Sequence, residues 1–349
     1  MKPEAKKDIR ALGRHELRDF FSRRGQPAFR GNQVYEWLWK KGAHSFAEMT
    51  NLSLPLREEL EAEFSINHIE VDRMQRSSDG TIKNAVKLFD GLVVESVLIP
   101  TESRTTACVS SQVGCSLDCN FCATARLKRM RNLNPDEIYD QVLIIDRQSR
   151  LYFGRPLSNI VFMGMGEPLM NYPNVLKAIE KITSDEGLGL SPRRITVSTS
   201  GIPKMIRKMA DEAPRFKLAV SLHSAVDTTR TSIMPFNATF PLAELREAIR
   251  YWYERTKSRV TYEYVVWEGI NDQPADIGAL VDFCKAAPCK VNLIEYNPIG
   301  DERFRQASQA ALGNYVTALE GADITVTVRR SRGKDIDAAC GQLANKSGS

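Results

Sequence analysis

Gly114-Cys115-Ser116-Leu117-Asp118-Cys119-Asn120-Phe121-Cys122 is the stretch around which the chain is organised. Three cysteines fall within eight positions, spaced C-x3-C-x2-C. Thiolates this close in sequence can fold round one metal centre from a loop. Soft sulfur ligands select zinc, copper(I) or iron–sulfur iron. The number three is informative. A structural zinc site takes four protein ligands, and a ferredoxin-type cluster likewise takes four cysteines. Three cysteines on a four-iron cluster leave one iron open to a further ligand. The competing reading adds Cys108, seven residues upstream, to make a four-cysteine zinc site. Zinc sites usually pair their cysteines as two C-x2-4-C units, and this spacing does not.

A chain of 349 residues can bury a substantial core, as one large barrel with an appendage or as two domains. Its composition is that of an ordinary soluble globular protein. Met1 to Arg10 is charged and lacks an apolar h-region, so no signal peptide is expected. No apolar run approaches the length of a membrane span. Seven cysteines, three of them clustered, do not form a secreted disulfide framework, and a reducing cytoplasm fits them. The net charge of +5 permits a nucleic-acid partner without requiring one. Local runs say more. Arg126, Lys128, Arg129 and Arg131 follow the cysteine loop, and Arg329, Arg330, Arg332 and Lys334 lie near the C-terminus. Each alone reads as a solvated face, but two runs flanking one centre favour a polyanionic substrate.

Residues 14–63 read as a helical module, with Leu17, Phe20 and Phe21 on one face and Val34, Trp37 and Leu38 on another. Residues 68–100 change period. Asp79-Gly80 and Asp90-Gly91 separate short apolar runs, the signal of hairpins in a small antiparallel sheet ending at Pro100. From Thr105 the chain alternates strand and helix. Thr106–Ser110 is a strand that delivers the cysteine loop, and Asn134-Pro135-Asp136-Glu137 opens a helix. Further strands are expected at 158–164, 193–199, 215–222, 259–267, 289–296 and 322–329. Helices are expected at 171–184, 201–211, 241–256, 273–287 and 304–320. Repeated βα units imply a parallel sheet curled as in a TIM-type barrel, with too few units for eightfold closure. Ligands bind such sheets at the C-terminal ends of the strands. Met163-Gly164-Met165-Gly166-Glu167-Pro168, Ser198-Thr199-Ser200-Gly201, Ser221-Leu222-His223 and Asn297-Pro298 all fall there. Any one of them alone reads as turn chemistry; four in register are harder to dismiss, and their short polar side chains can hydrogen-bond the amino, carboxylate and hydroxyl groups of a ligand.

The cysteine spacing, with an aromatic residue before the last cysteine, resembles the radical S-adenosylmethionine (SAM) superfamily. Met165-Gly166-Glu167-Pro168 resembles the SAM-amino motif of those enzymes. The run from Gly333 to Leu343, together with that from Cys108 to Cys115, is similar to the RlmN/Cfr family of RNA adenosine methyltransferases. The similarity extends from about Phe20 to Leu343. It implies an α/β fold, a partial (βα)6 TIM-like radical SAM barrel with an N-terminal helical accessory domain and a small antiparallel β segment. The expected divisions are 1–66 (helical, RNA-contacting), 67–104 (β-hairpin linker), 105–330 (barrel) and 331–349 (C-terminal segment with the methylated cysteine). The resemblance assigns Cys115, Cys119 and Cys122 to a 4Fe-4S cluster. It assigns Gly166, Glu167, Ser198, Ser221, Leu222, His223 and Asn297 to SAM. Cys340 matches a cysteine that is itself methylated, Cys108 its resolving partner, and Glu95 a proton acceptor.

The C2 carbon of adenine is not nucleophilic, so polar methyl transfer from SAM has no route to it. In the mechanism the resemblance implies, one SAM methylates Cys340 by displacement. A second is cleaved at the cluster to a deoxyadenosyl radical, which removes hydrogen from that S-methyl group. The carbon radical adds to adenine, giving a covalent protein–RNA adduct. A base takes the C2 proton, and Cys108 attacks the sulfur of Cys340, leaving a disulfide and methylated RNA. Cys108 and Cys340 are therefore expected to lie close in space. Implied partners are 23S ribosomal RNA, transfer RNA and a flavodoxin- or ferredoxin-type electron donor; a cytoplasmic monomer without membrane contact is expected. Two alternatives stand beside this: methylation at adenine C8, as in Cfr, and a non-enzymatic zinc-bearing RNA-binding protein. Where the family often has a Gly-aromatic pair, Ala125-Arg126-Leu127-Lys128-Arg129-Met130 stands, leaving loop geometry and RNA approach open there. Cys284 and Cys289 read as packed thiols, and His15, His44 and His68 have no evident partner.

Overall fold

The computed structural model describes residues 6–345. The outer ends of the expected N-terminal module (1–5) and C-terminal segment (346–349) lie outside the described residues. So does Met1 to Ala5 of the charged N-terminus. The chain begins with β1 (Lys7–Asp8), α1 (Arg14–Arg23), α2 (Phe29–Glu36), α3 (Leu54–Glu63) and β2 (Phe64–Ser65), and β1 pairs with β2 in parallel. Leu17, Phe20 and Phe21, spaced i, i+3 and i+4 on α1, are all buried. Glu16 closes the first turn of α1 by accepting from the Gly13 amide (2.6 Å). The module is fixed to the rest by a buried fork from Arg10 to both oxygens of Asp140 (2.6 and 2.7 Å). Trp39 meets Tyr139 edge-on at 5.4 Å, and the Tyr139 hydroxyl donates to the Trp39 carbonyl. The three histidines without an evident partner each find one: His44 stacks on His68 (4.7 Å), His68 meets Glu70, and His15 meets Asp19.

Next come β3 (Glu70–Arg76), β4 (Ile82–Lys87) and β5 (Val93–Pro100), antiparallel throughout. The expected hairpin turns form, with Gly80 and Gly91 at φ +86° and +83°. These strands do not make a sheet of their own. β5 pairs antiparallel with β6 (Thr105–Cys108), setting Val97 opposite Cys108, and β6 opens the parallel run. A short ribbon of β7 (Gln112–Val113) and β8 (Arg131–Asn132) and the helix α4 (Pro135–Phe153) follow. The remaining elements are β9 (Asn159–Phe162), α5 (Tyr172–Thr183), β10 (Ile195–Thr199), α6 (Pro203–Glu212), β11 (Lys217–Ser221), α7 (Asp227–Ile233) and α8 (Leu242–Thr256). After them come β12 (Val260–Val265), α9 (Pro274–Cys284), β13 (Cys289–Ile294), α10 (Gln309–Gly321) and β14 (Thr325–Arg329). One ten-stranded sheet results, in the order β14-β13-β12-β11-β10-β9-β6-β5-β4-β3. Its parallel part is six βα units and a closing strand, a partial barrel with an antiparallel extension.

The elements depart from expectation in several places. The helix α7 is additional; it has seven residues and no apolar periodicity to announce it. Helix α10 starts at Gln309 instead of 304, because a bridge from Gln306 to Trp267 holds the preceding chain extended and Ser308 caps the helix at Ala311 (3.1 Å). Strand β14 begins at Thr325. Beyond β14 the chain crosses to the other edge of the sheet. Asp335 accepts from Ser77 (2.6 Å) and the Ser78 amide (3.1 Å), and the Gly333 amide donates to Asp79 (3.0 Å). No helix among the described residues is long and apolar enough to cross a membrane.

Candidate active site

Cys108 ends β6, and the chain then enters the cysteine loop through β7. Pairing of Val113 with Arg131 of β8 closes the loop at its base. Gly114 turns there at φ +74°, and a Cβ on it would lie 2.5 Å from the Lys128 carbonyl oxygen, so no other residue fits. The far side of the loop is held by Asn120, whose amide donates to Ile233 O (3.0 Å) and whose Nδ2 donates to Ser232 O (2.7 Å). Its end is held by the Ala123 amide, which donates to Gly341 O (2.7 Å). Cys115, Cys119 and Cys122 thereby line one open cavity at the C-terminal ends of the parallel strands. Gly166, Glu167, Ser198, Ser221, His223, Asn297 and Cys340 line the same cavity.

Gly166 sits at φ +93° against Gln112, whose Cβ would be 2.4 Å from a Cβ at 166. That close approach lets Gln112 Oε1 accept from the Glu167 amide (2.9 Å), tying the second strand's turn to the base of the cysteine loop. Glu167 is buried; its oxygens accept from the Leu169 amide (3.0 Å) and the Ser200 amide (2.8 Å). Burial raises its pKa, and those two amides oppose the rise. His223 takes a left-handed backbone (φ +56°), pinned by Asn271 Nδ2 donating to its carbonyl (2.7 Å). Its Nδ1 accepts from the Val265 amide (3.1 Å), which leaves the ring proton on Nε2.

Burial, and then the charge of Arg230, push the His223 imidazole down to about 3 from its ordinary 6.5. The unfolded chain takes up this proton below 6.5 and the folded chain does not, so stability is present in full above that value and is lost as pH falls. In scanning calorimetry the wild-type melting temperature should fall from pH 7 to pH 5, and His223→Gln should fall less. Equal slopes would remove His223 as the cause.

The donor set fits an iron–sulfur cluster better than zinc. Burial and then the neighbouring thiols push Cys119 well above its ordinary value. Burial first, with contributions from Glu167 and Cys122, takes Cys115 up to about 12. Such thiols ionise together when a cationic centre compensates them. Three thiols on one loop are one short of the four protein ligands a structural zinc site takes. Cys108 is absent from the cavity lining, which removes the fourth ligand of the zinc reading. Asn297 lines the cavity with its buried Oδ1 unpartnered, an acceptor open to an amino or hydroxyl donor.

Cys340 reaches this wall from the C-terminal segment, held by Asn297 Nδ2 donating to its carbonyl (3.2 Å). Cys108 is buried and feels the charge of Cys340. The two expected partners are thus neighbours, but the expected disulfide is not formed: all seven cysteines are free thiols. Leu222 does not line the cavity; its side chain is fully buried, its amide donates to Glu263 O (3.0 Å), and its carbonyl accepts from the Ser224 amide (2.7 Å) and Arg230 Nε (3.1 Å). Glu95 is also absent from the lining. It sits 3.5 Å from Lys83 Nζ, and its Oε2 accepts from the amides of Ala344 (2.8 Å) and Asn345 (3.2 Å). Cys284 and Cys289 lie at the end of α9 and the start of β13, away from the cavity. The basic runs are partly consumed by ion pairs, Arg131 with Asp90 and Glu137, Arg126 with Asp301, Arg329 with Glu263 and Lys334 with Glu295. Lys128, Arg129, Arg330 and Arg332 remain exposed. Three residues of the site carry no motif: Arg230, Asn271 and the cavity-lining Glu263.

A partial barrel with three thiols on the loop after its first parallel strand, and a glycine-rich turn after the second, defines a radical SAM enzyme. The model of the Radical SAM superfamily matches residues 109–283, and that of the ribosomal RNA large subunit methyltransferase N-terminal domain matches residues 7–66. The probable dual-specificity RNA methyltransferase RlmN of Flavobacterium johnsoniae is 72% identical over 341 residues, 98% of each chain. The protein of the same description from Flavobacterium psychrophilum is also 72% identical over 341 residues, again 98% of each. The crystal structure of a radical SAM methyltransferase from Sphaerobacter thermophilus is similar at a TM-score of 0.90 and 39% identity, covering 97% of this chain and 99% of that one. The chain belongs to the RlmN family of dual-specificity RNA methyltransferases. Membership implies a 4Fe-4S cluster and SAM as cofactors.

Proposed function

We propose that the chain methylates C2 of adenosine in 23S ribosomal RNA and in transfer RNA, through S-methylcysteine at Cys340 and with two SAM per turnover. The observation that carries this reading is the meeting of Cys340 with Cys115, Cys119 and Cys122 on one cavity wall. When bound, the cluster and SAM supply the methyl group and the one-electron chemistry. Cys115, Cys119 and Cys122 are the cluster ligands. Gly166, Glu167, Ser198, Ser221, His223 and Asn297 face SAM, and Leu222, whose backbone groups are bonded to Glu263, Ser224 and Arg230, supports the turn between Ser221 and His223. The Glu167 carboxylate, held by the Leu169 and Ser200 amides and the Thr199 and Ser200 side chains, presents an acceptor that suits an amino group. The neutral His223 offers a hydrogen bond without adding charge.

Cys340 presents its sulfur to the target base, and Cys108 waits behind it as the resolving thiol. Glu95 serves as proton acceptor once residues 344–345 lift from it. The base must leave its stack to reach the cavity, at a cost of a few kcal/mol. Exposed Lys128, Arg129, Arg330 and Arg332, with the N-terminal module, offset that cost through phosphate contacts. The protein acts as a monomer in a reducing cytoplasm and takes electrons from a flavodoxin or ferredoxin.

Nucleoside mass spectrometry tests this on ribosomal and transfer RNA incubated anaerobically with protein, SAM and a reductant. A 2-methyladenosine peak in both RNAs is the expected result. An 8-methyladenosine peak would move the protein to the sister activity. Neither peak, with a confirmed cluster and SAM cleavage, would sink the substrate assignment.

A further inference from the structure

Arg230 is fully buried within α7. A guanidinium stays charged in proteins, and a buried charge is ordinarily met by an opposite one. Arg230 spends its donors on neutral acceptors: Nε on Leu222 O (3.1 Å), Nη2 on Ser200 O (2.6 Å) and Ser221 O (3.4 Å), and Nη1 on Asn237 Oδ1. Phe236 lies over it at 5.3 Å. The carboxylate of Asp227 is turned to the Asn237 amide (3.0 Å) and the Leu242 amide (2.9 Å). Burial draws the guanidinium down to about 10; Cys119 opposes this more strongly than Asp227 does. One side chain therefore holds the ends of β10 and β11, where two of the SAM-side motifs stand. Its helix also grips the cysteine loop through Asn120, which binds the carbonyls of Ser232 and Ile233.

We propose that Arg230 is a positioning residue of the cluster site whose missing counter-charge is the anionic thiolate–iron–sulfur centre itself. The proposal rests on the assignment of Cys115, Cys119 and Cys122 as cluster ligands. A fixed cation beside the centre stabilises the form with one more electron, because net charge and burial set cluster potentials. Arg230 thus keeps the cluster reducible while locking the strand ends that face SAM.

The test is an EPR-monitored redox titration of the anaerobically purified holoprotein, without SAM or RNA. Arg230→Gln should lower the reduction equilibrium constant about tenfold, a midpoint about 59 mV more negative for a one-electron couple. Arg230→Lys keeps the charge but loses the fork, and should stay within about threefold of wild type. Asn237→Ala, which removes the amide's hydrogen bonds to Arg230, Asp227 and Thr231 but no charge, should also leave the midpoint in place. Equal shifts in all three variants, or none in Arg230→Gln, would overturn the proposal. Should Arg230→Gln not fold, Arg230→Lys decides: a midpoint near wild type supports the charge argument, and a tenfold fall overturns it. Absence of iron and of an EPR signal in wild-type protein would instead overturn the ligand assignment.

Discussion

Replacing Cys340 with alanine is expected to abolish RNA methylation while leaving iron content and the EPR signal of the cluster unchanged. The backbone around Cys340 does not depend on its thiol. Its carbonyl still receives Asn297 Nδ2, and the Gly341 carbonyl still receives the Ala123 amide. Downstream, Gln342 Nε2 still donates to Pro298 O (3.2 Å) and Thr124 to Leu343 O (2.6 Å). The segment therefore stays seated and the cavity keeps its shape. On the proposed route, what is lost is the sulfur that carries the methyl group, and adenine C2 offers no polar route around it. The loss should be at least about 10⁴-fold, the order found when a covalent nucleophile is removed. Nucleoside mass spectrometry alongside an iron assay checks both halves. Methylated RNA from the variant would refute the covalent route, and loss of iron would mean Cys340 holds the centre together.

Most of this site is legible in the amino-acid sequence because its residues stand where the chain must turn. Gly166-Glu167, Ser198, Ser221-Leu222-His223 and Asn297 all follow a β-strand, and parallel strands gather their C-terminal ends in one place. The hairpin glycines 80 and 91 and the Asn134 cap are local signals of the same kind. Arg230 is not legible. Within Asp227-Thr228-Thr229-Arg230 it reads as part of a solvated turn, and only closure of β10, β11 and the cysteine loop around it makes it buried. The pairing of Glu95 with Ala344 and Asn345 is likewise a product of tertiary closure across 249 and 250 residues. Composition overstates the free positive charge, since Arg10, Arg131 and Arg329 are each spent on internal carboxylates.

Cys108→Ala is expected to form the methylene-bridged protein–RNA adduct and then stall. Cys108 is buried at the end of β6, and burial, reinforced by Cys340, pushes its thiol up to about 12 while the Met163 amide and Arg329 oppose the rise. At neutral pH it is almost wholly protonated, and burial raises the Cys340 thiol as well. Attack on the Cys340 sulfur needs the thiolate, so resolution in the wild type should quicken as pH rises through the neutral range. Alanine removes the attacking sulfur and leaves the backbone pairings of β6 with β5 and β9 intact, so the earlier steps proceed. Denaturing gels of protein incubated with labelled RNA should then show a covalent band that nuclease shortens, at a stoichiometry approaching one RNA per chain. Released methylated RNA should fall below one equivalent. Multiple turnovers by Cys108→Ala would show that another group breaks the Cys340 carbon–sulfur bond, and the resolving role would pass from the buried thiol to that group.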